Sequence, residues 1–355
     1  MDYPKFKVTV SCMTYNQSKY ITDAMNGFTM QQTSFPFVCT IVDDVSTDDE
    51  QEVIRKYVED NFDFSEGSVA YHKETDYANI TYAQHKANKN CYFAVLYLKE
   101  NHYSKHKDKS PYLKDWRDGV EYMAICEGDD YWIVPDKLQK QVDILDNDKG
   151  LSFCHTGFYF FHQTSGAIIS ADDIIESNLT LHNQDANLIE NVLDSNQYRV
   201  QLATVLVRMS KLDKANEILS TIPGQYLMGD TQLCVVLLSL GPVYYIPDKT
   251  TIYRVIEGSA SRQTDIRVKT HFNLSTAEMR VVMSELFVVK DELKKKFQKQ
   301  YQKQLNLYLC YEPDYKRFVE LKFATIKDRL QFYILNMPFI RPILRYIYTK
   351  RKKHN

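Results

Sequence analysis

The sequence predicts an α/β fold built on a mostly parallel sheet, and two observations carry that prediction. Apolar runs and amphipathic segments alternate along the N-terminal third, the pattern of a parallel sheet covered by helices. One run, Phe37-Val38-Cys39-Thr40-Ile41-Val42, is almost continuously apolar, as a strand buried on both faces should be. Hydrophobic residues make up 44% of the 355-residue chain, enough for a large core and too many for a disordered chain.

The elements follow in order. Val8 to Met13 is the first strand and Tyr20 to Met30 a helix, with Phe37 to Val42 as the second strand. In DDVSTDDEQEVIRKYVEDNF, Thr47 and Glu50 have capping-box spacing, and Asp48 and Asp49 favour a helix N-terminus, so 46–50 is assigned mainly to capping. Val53, Ile54, Tyr57 and Val58 give that helix its apolar face. Val69 to His72 reads as a short strand, Ala83 to Leu98 as a helix and Tyr122 to Cys126 as a strand. A helix opening at Pro135 or Asp136 carries Leu138, Val142 and Leu145 on one side, and Pro242 to Ile246 is a later strand.

Charge and cysteines narrow the class. Lys and Arg total 44 against 46 Asp and Glu, a net charge of -2, which gives no global reason to expect nucleic acid as a partner. Of seven scattered cysteines, Cys12, Cys39, Cys126 and Cys234 sit in apolar runs, and no pair has zinc-site or redox spacing. That pattern predicts reduced, buried thiols and a cytoplasmic location. No signal peptide is read at the start, because Lys5 to Val10 already looks like a strand. No apolar run is long enough to span a bilayer.

Ligands of open α/β sheets bind beyond the carboxyl ends of the strands. Three polar clusters fall there: Thr14-Tyr15-Asn16, Asp43-Asp44, and Glu127-Gly128-Asp129-Asp130 within CEGDDYW. If the strands are neighbours, five carboxylates converge on one crevice. An unpaired buried carboxylate is costly, so a hard divalent cation, Mg²⁺ or Mn²⁺, is the natural counter-charge. A P-loop and a Gly-rich dinucleotide fingerprint are absent, and Asp43-Asp44-Val45 does not supply the Asp-x-Asp of a haloacid-type phosphatase.

The three strand ends together resemble the family 2 glycosyltransferases, of GT-A fold. CEGDDYW followed by Pro135, Lys137, Leu138 and Gln141 is similar to a bacterial branch that builds surface polysaccharide. The resemblance covers roughly residues 5–262 and implies a GT-A domain over 1–262, with a helical extension over 263–355. It implies an inverting transferase that moves a sugar from a nucleotide-diphosphate donor, UDP-linked, to a hydroxyl of a glycan or lipid-linked acceptor.

The resemblance also implies site residues. Asp43 and Asp44 face the nucleotide base, where a carboxylate accepts the imide N–H of uracil; the alternative is that one of them caps the turn. Tyr15 lies against a ring face, with Thr14 and Asn16 in the same nucleotide-binding turn. Glu127 replaces the first Asp of the family's acid-x-acid motif and reaches a ribose hydroxyl or a metal-bound water. Gly128 lets the backbone approach the diphosphate, and Asp129 ligates the metal. Asp130 is a second ligand or orients its neighbours, while Tyr131 and Trp132 line the sugar site or anchor the next helix. Asp230, in YLMGDTQLCVVLLSL, matches the acceptor-side acid and is the implied general base, with Thr231 where a second acid is common; its other role is a helix cap. Arg254, in YRVIEGSAS, contacts phosphate or makes a structural ion pair, and Ile256 stands where many relatives carry a histidine. These departures leave a second reading open, a non-catalytic GT-A relative that binds a sugar nucleotide or glycan. Metal-dependent donor turnover separates the two.

Two segments stand outside the motifs. Residues 99–118, KENHYSKHKDKSPYLKDWRD, form a polar insertion, either an acceptor-side loop or a structureless excursion. Beyond Asp265, Leu293, Phe297, Tyr301 and Leu305 recur at i, i+4, a stripe that packs on the catalytic domain or on a second copy in a homo-oligomer. The terminal cations Arg341, Arg345, Lys350, Arg351, Lys352 and Lys353 either dock on anionic lipid at the inner face of the cell membrane or trail as a solvated tail.

Overall fold

A computed structural model describes residues 3–105, 107–173, 188–194, 200–259 and 264–311, together with 334, 337, 339–340 and 342–343. The chain divides into two compact units, Met1–Thr221 with Leu233–Val255, and Ile222–Gln232 with Ile256–Asn355.

The first unit is organised by one sheet. Its strands are β1 (Val8–Thr14), β2 (Phe37–Asp43), β3 (Tyr71–Glu74), β4 (Ala78–Gln84), β5 (Cys91–Leu98), β6 (Tyr122–Ile125), β7 (Tyr131–Trp132), β8 (Phe153–His162), β9 (Ala167–Ser170), β10 (Leu206–Arg208) and β11 (Val243–Val255). They run in the order β3-β4-β5-β2-β1-β6-β10-β8-β11-β7, with β9 paired to β8. The central β5, β2, β1 and β6 are mutually parallel, so their carboxyl ends share one edge. The helices are α1 (Ile21–Thr29), α2 (Glu50–Asn61), α3 (Lys114–Arg117), α4 (Lys137–Asn147), α5 (Leu188–Asp194), α6 (Met209–Thr221) and α7 (Gly229–Leu240), of which α7 is grouped with the second unit up to Gln232.

Burial explains the strands. All seven residues of β2 and all eight of β5 are buried, because each lies inside the sheet with helices or loops on both faces. This overturns the helix expected over Ala83–Leu98: that stretch supplies the end of β4 and the whole of β5. An apolar run such as CYFAVLYL needs cover on all sides, and a strand between β2 and β4 obtains it. The strand expected over Val69–His72 is displaced to Tyr71–Glu74. The capping box also fails: α2 starts at Glu50 with no side-chain hydrogen bond from its Asp49 cap, and Glu50 turns elsewhere. Helix α1 buries Ile21, Ala24, Met25 and Phe28, and Phe28 meets Trp132 edge-on at 5.1 Å. Burial of Ile21, Met25 and Phe28 contributes about 1.5–3 kcal/mol each. Helix α4 buries Leu138, Val142 and Leu145 as their spacing predicts.

In the second unit, α8 (Ile266–Leu286) opens on Asp265, whose carboxylate accepts the Arg267 and Val268 N–H groups at 2.7 and 3.4 Å. Helix α9 (Asp291–Tyr311) packs on α8 and buries Phe297, Tyr301, Leu305 and Leu309. The i, i+4 stripe is therefore covered by its own chain, with α8 as a partner that periodicity could not name. Among the described residues no helix is long and apolar enough to cross a membrane. The terminal basic run lies outside the described residues.

Candidate active site

The loops after β1, β2 and β6 meet at the carboxyl edge of the sheet. Thr14 and Asp43 are paired across β1 and β2, and the Asp44 N–H donates to Thr14 O at 3.1 Å. Cys126 N–H and Gly128 N–H donate to Ser11 and Met13 of β1 at 3.0 and 3.3 Å, which fastens the acidic loop to the same strand. Five predicted carboxylates, Asp43 and Asp44 after β2 and Glu127, Asp129 and Asp130 after β6, thus stand on the two strand ends that flank the Thr14-Tyr15-Asn16 end of β1.

A sixth carboxylate, missed by the sequence reading, organises the edge. Glu50 is fully buried. Its Oε2 accepts Gln17 N–H at 2.9 Å and Ser46 Oγ–H at 2.7 Å, and its Oε1 accepts from Thr14 Oγ1. Burial pushes the Glu50 carboxyl above its ordinary range, and these hydrogen bonds oppose the rise. Asn16 completes the lattice: its N–H donates to Ser46 Oγ at 2.9 Å and its Oδ1 accepts Thr47 N–H at 2.7 Å. Both turns are strained. Asn16 has φ 55° and Val45 φ 65°, and a β-branched residue in the left-handed region is a genuine outlier of the kind held at functional sites. A capping-box spacing hid Glu50, and only its own burial, invisible in sequence, reveals it.

Asp43 and Asp44 divide their work. Asp43 is fully buried; its Oδ1 accepts from Ser46 N–H at 3.3 Å and from Gln51 Nε2, while its Oδ2 has no hydrogen-bond partner. Asp44 is engaged at both oxygens by the 99–118 insertion: His102 N–H at 2.7 Å, Tyr103 N–H at 2.9 Å and the Lys109 ammonium at 3.3 Å. The insertion is therefore an ordered part of this edge around residues 99–105 and 107–113. Tyr15, one residue past β1, stands half exposed, at 47%.

In the acidic loop Glu127 is exposed, Asp129 half-buried and Asp130 buried. A Cβ on Gly128 would lie 2.5 Å from both Thr14 Oγ1 and Gln17 Oε1, so the close approach that requires glycine here is made to the chain itself. Burial raises the Asp129 carboxyl above its usual range; burial, then the neighbouring Asp129 charge, raises Asp130 further. Asp130 Oδ1 accepts the Arg254 N–H at 2.9 Å. Arg254 is itself buried, with its guanidinium on Asp129 O (2.8 Å), Gln163 Oε1 (2.9 Å) and Asp23 Oδ2 (2.7 Å), between the Tyr20, Tyr131 and Phe161 rings. Of the two roles left open for Arg254, the structure contains the ion pair. Trp132 is buried as an anchor: its Nε1–H donates to Ala203 O at 2.8 Å and the Lys137 ammonium lies 4.2 Å over its ring. Burial brings Lys137 down to about 7.

Asp230 belongs to the second unit. It is exposed inside the first turn of α7, one residue past the helix start rather than at the cap position, and its Oδ1 accepts the N–H of the next residue, Thr231, at 2.8 Å. Among the described residues no group of three or more His, Cys, Asp or Glu side chains is arranged to hold a metal ion. The donor set at Asp129 still suits a hard cation, because Mg²⁺-type ions commonly take one or two protein carboxylates and fill the rest with phosphate oxygen and water.

The sheet order and the acid-bearing edge define a GT-A-type α/β fold. The chain aligns with S. aureus TarS 1-349 over 97% of its own length and 88% of that chain, with a TM-score of 0.50 and 16% identity. The complex of that protein with UDP-GlcNAc scores 0.49 at 15% identity over the same shares. The mannosyltransferase PcManGT from Pyrobaculum calidifontis, solved with GDP-Man and Mn²⁺, scores 0.46 at 12% identity over 92% of this chain and 80% of that one. At 16% identity the likeness to TarS 1-349 is one of fold. Among curated proteins the chain is 31% identical over 147 residues to the uncharacterized proteins Rv1520 of Mycobacterium tuberculosis and Mb1547 of Mycobacterium bovis, or 41% of this chain. The match spans about a third of those relatives' length, 34%. No family model matches.

Proposed function

We propose that the chain is an inverting glycosyltransferase that moves a sugar from a UDP-linked donor to a hydroxyl of a glycan or lipid-linked acceptor. One observation carries this reading: three polar strand ends converge on one sheet edge, where Asp43 keeps an unpartnered buried oxygen and Asp129 a half-buried carboxyl raised by burial. Asp43 Oδ2, buried in the unliganded chain, would accept an imide N–H once the cover over it opens, and the exposed Tyr15 ring offers a face to the base. Glu127, in solvent reach, serves the ribose. Asp129 would hold Mn²⁺ or Mg²⁺ with Asp130 oriented behind it by Arg254; the ion would supply positive charge against the departing diphosphate. Asp230 is the general base that takes the acceptor hydroxyl's proton. The acceptor reading favours a location at the inner face of the cell membrane, on the excess of cations from Arg341 to Lys353.

Calorimetry with UDP, with and without Mn²⁺, tests the donor half. Wild type is expected to bind UDP more tightly with Mn²⁺, on the order of tenfold or about 1.4 kcal/mol. Asp129→Asn should lose that gain, and Asp43→Ala should weaken binding in either condition. A wild-type protein that binds no nucleotide diphosphate overturns the reading.

A further inference from the structure

The insertion after β5 has no counterpart in the motif argument, yet it leaves the sheet at the edge where the motifs converge. β5 is parallel to β2, with Tyr97 paired to Asp43, so the chain beyond Leu98 emerges beside Asp44. It is fastened there. Asn101 Nδ2–H donates to Asp44 O at 2.8 Å, and the carboxylate of Asp44 accepts two successive backbone N–H groups, from His102 and Tyr103. His102 is fully buried, with Nδ1 at 2.8 Å from Glu100 O and its ring edge-on to Tyr112 at 5.3 Å. Glu100 holds Lys105 at 2.6 Å and also Lys107. On this braced loop the Tyr103 ring is 72% exposed. Tyr15, one residue past β1 on the other side of Asp44, is the second exposed ring at this edge. An aromatic ring held in water on a rigid loop loses little conformational freedom when a flat ligand lands on it.

We propose that this insertion walls the nucleotide pocket and that Tyr103 stacks on the donor's base, across Asp44 from Tyr15. The inference rests on the donor reading above. It assigns Asp44 a positioning role: its carboxylate fixes the loop rather than contacting the base. The ligand class is any nucleoside diphosphate with an exposed π-face, and stacking on Tyr103 tolerates the choice of base while Asp43 supplies the selection.

The test titrates UDP and inorganic pyrophosphate, in Mn²⁺, into wild type, Tyr103→Phe and Tyr103→Ala. The ring is mostly solvent-exposed, so unchanged melting temperatures are expected. Tyr103→Phe should match wild type for UDP, and Tyr103→Ala should bind UDP about tenfold more weakly. Pyrophosphate, which lacks a base, should bind all three alike. Unchanged UDP affinity in Tyr103→Ala overturns the stacking role and leaves the donor reading standing. An equal loss for pyrophosphate also overturns it, because the loop would then act on charge. A wild type that binds neither probe removes both ideas together.

Discussion

Glu50 and Asp43 are both sealed from water at the same edge, and they differ in how their charge is met. Glu50 collects three donors, from Thr14, Gln17 and Ser46, while Asp43 leaves Oδ2 without any. The first is a carboxylate satisfied by the fold; the second keeps one oxygen that no described group meets. Glu50→Gln keeps the volume, yet its amide nitrogen must face groups that donate. It should cost about 2 kcal/mol in urea unfolding, within the range for orphaned buried donors. It should also weaken UDP binding, because the turns carrying Tyr15 and Ser46 lose their common tether, while turnover at saturating donor changes little. A Glu50→Gln protein with wild-type stability would show that the lattice stands without it.

At the scale of elements, β11 is what positions the acidic loop. Its Arg254 N–H binds Asp130 and its guanidinium reaches Asp129 O, so a strand near the end of the first unit holds a loop more than a hundred residues earlier. The neighbouring β8 carries a buried histidine with a pH signature. Burial lowers His155 from 6.5 to about 3. Between those values the unfolded chain binds a proton that the folded chain refuses, so stability present above pH 6.5 is lost as the pH falls towards 3. At pH 5.5 the loss from this one group is about 1.4 kcal/mol. His155→Phe should flatten that part of the slope in melts at pH 7.5 and 5.5; equal acid losses in both proteins would assign the slope to other groups. The same scale shows why one element was misread. The apolar run at Cys91–Leu98 is equally compatible with a buried helix, and only its neighbours β2 and β4 make it a strand.

At the scale of the whole molecule, the proposed donor groups and the proposed base belong to different units, Asp129 to the first and Asp230 to the second. Donor binding and transfer should therefore separate by mutation. Asp230→Asn keeps an oxygen for the Thr231 N–H and removes basicity. It should leave melting temperature and UDP affinity unchanged and cut transfer about a hundredfold, the typical contribution of a positioned base. Near-normal transfer by the folded variant, or a product that retains the donor's anomeric configuration, would refute an inverting mechanism based on Asp230.

By itself the sequence determined what local pattern encodes. The apolar run of β2, the strand before CEGDDYW, the helix at α1, the faces of α2 and α4, and polar clusters at three strand ends were all legible, because strand and helix periodicity act over a few residues. Tertiary structure decided which of those acids are met and by what. Asp43 was separated from Asp44 by a loop almost sixty residues on, Glu50 was withdrawn from a cap into the edge, Gly128 was turned toward Thr14, and Arg254 was spent on Asp129, Gln163 and Asp23. The physical reason is that a buried charge is stabilised by whichever donors surround it in space, and those donors come from strands that the chain brings together only on folding.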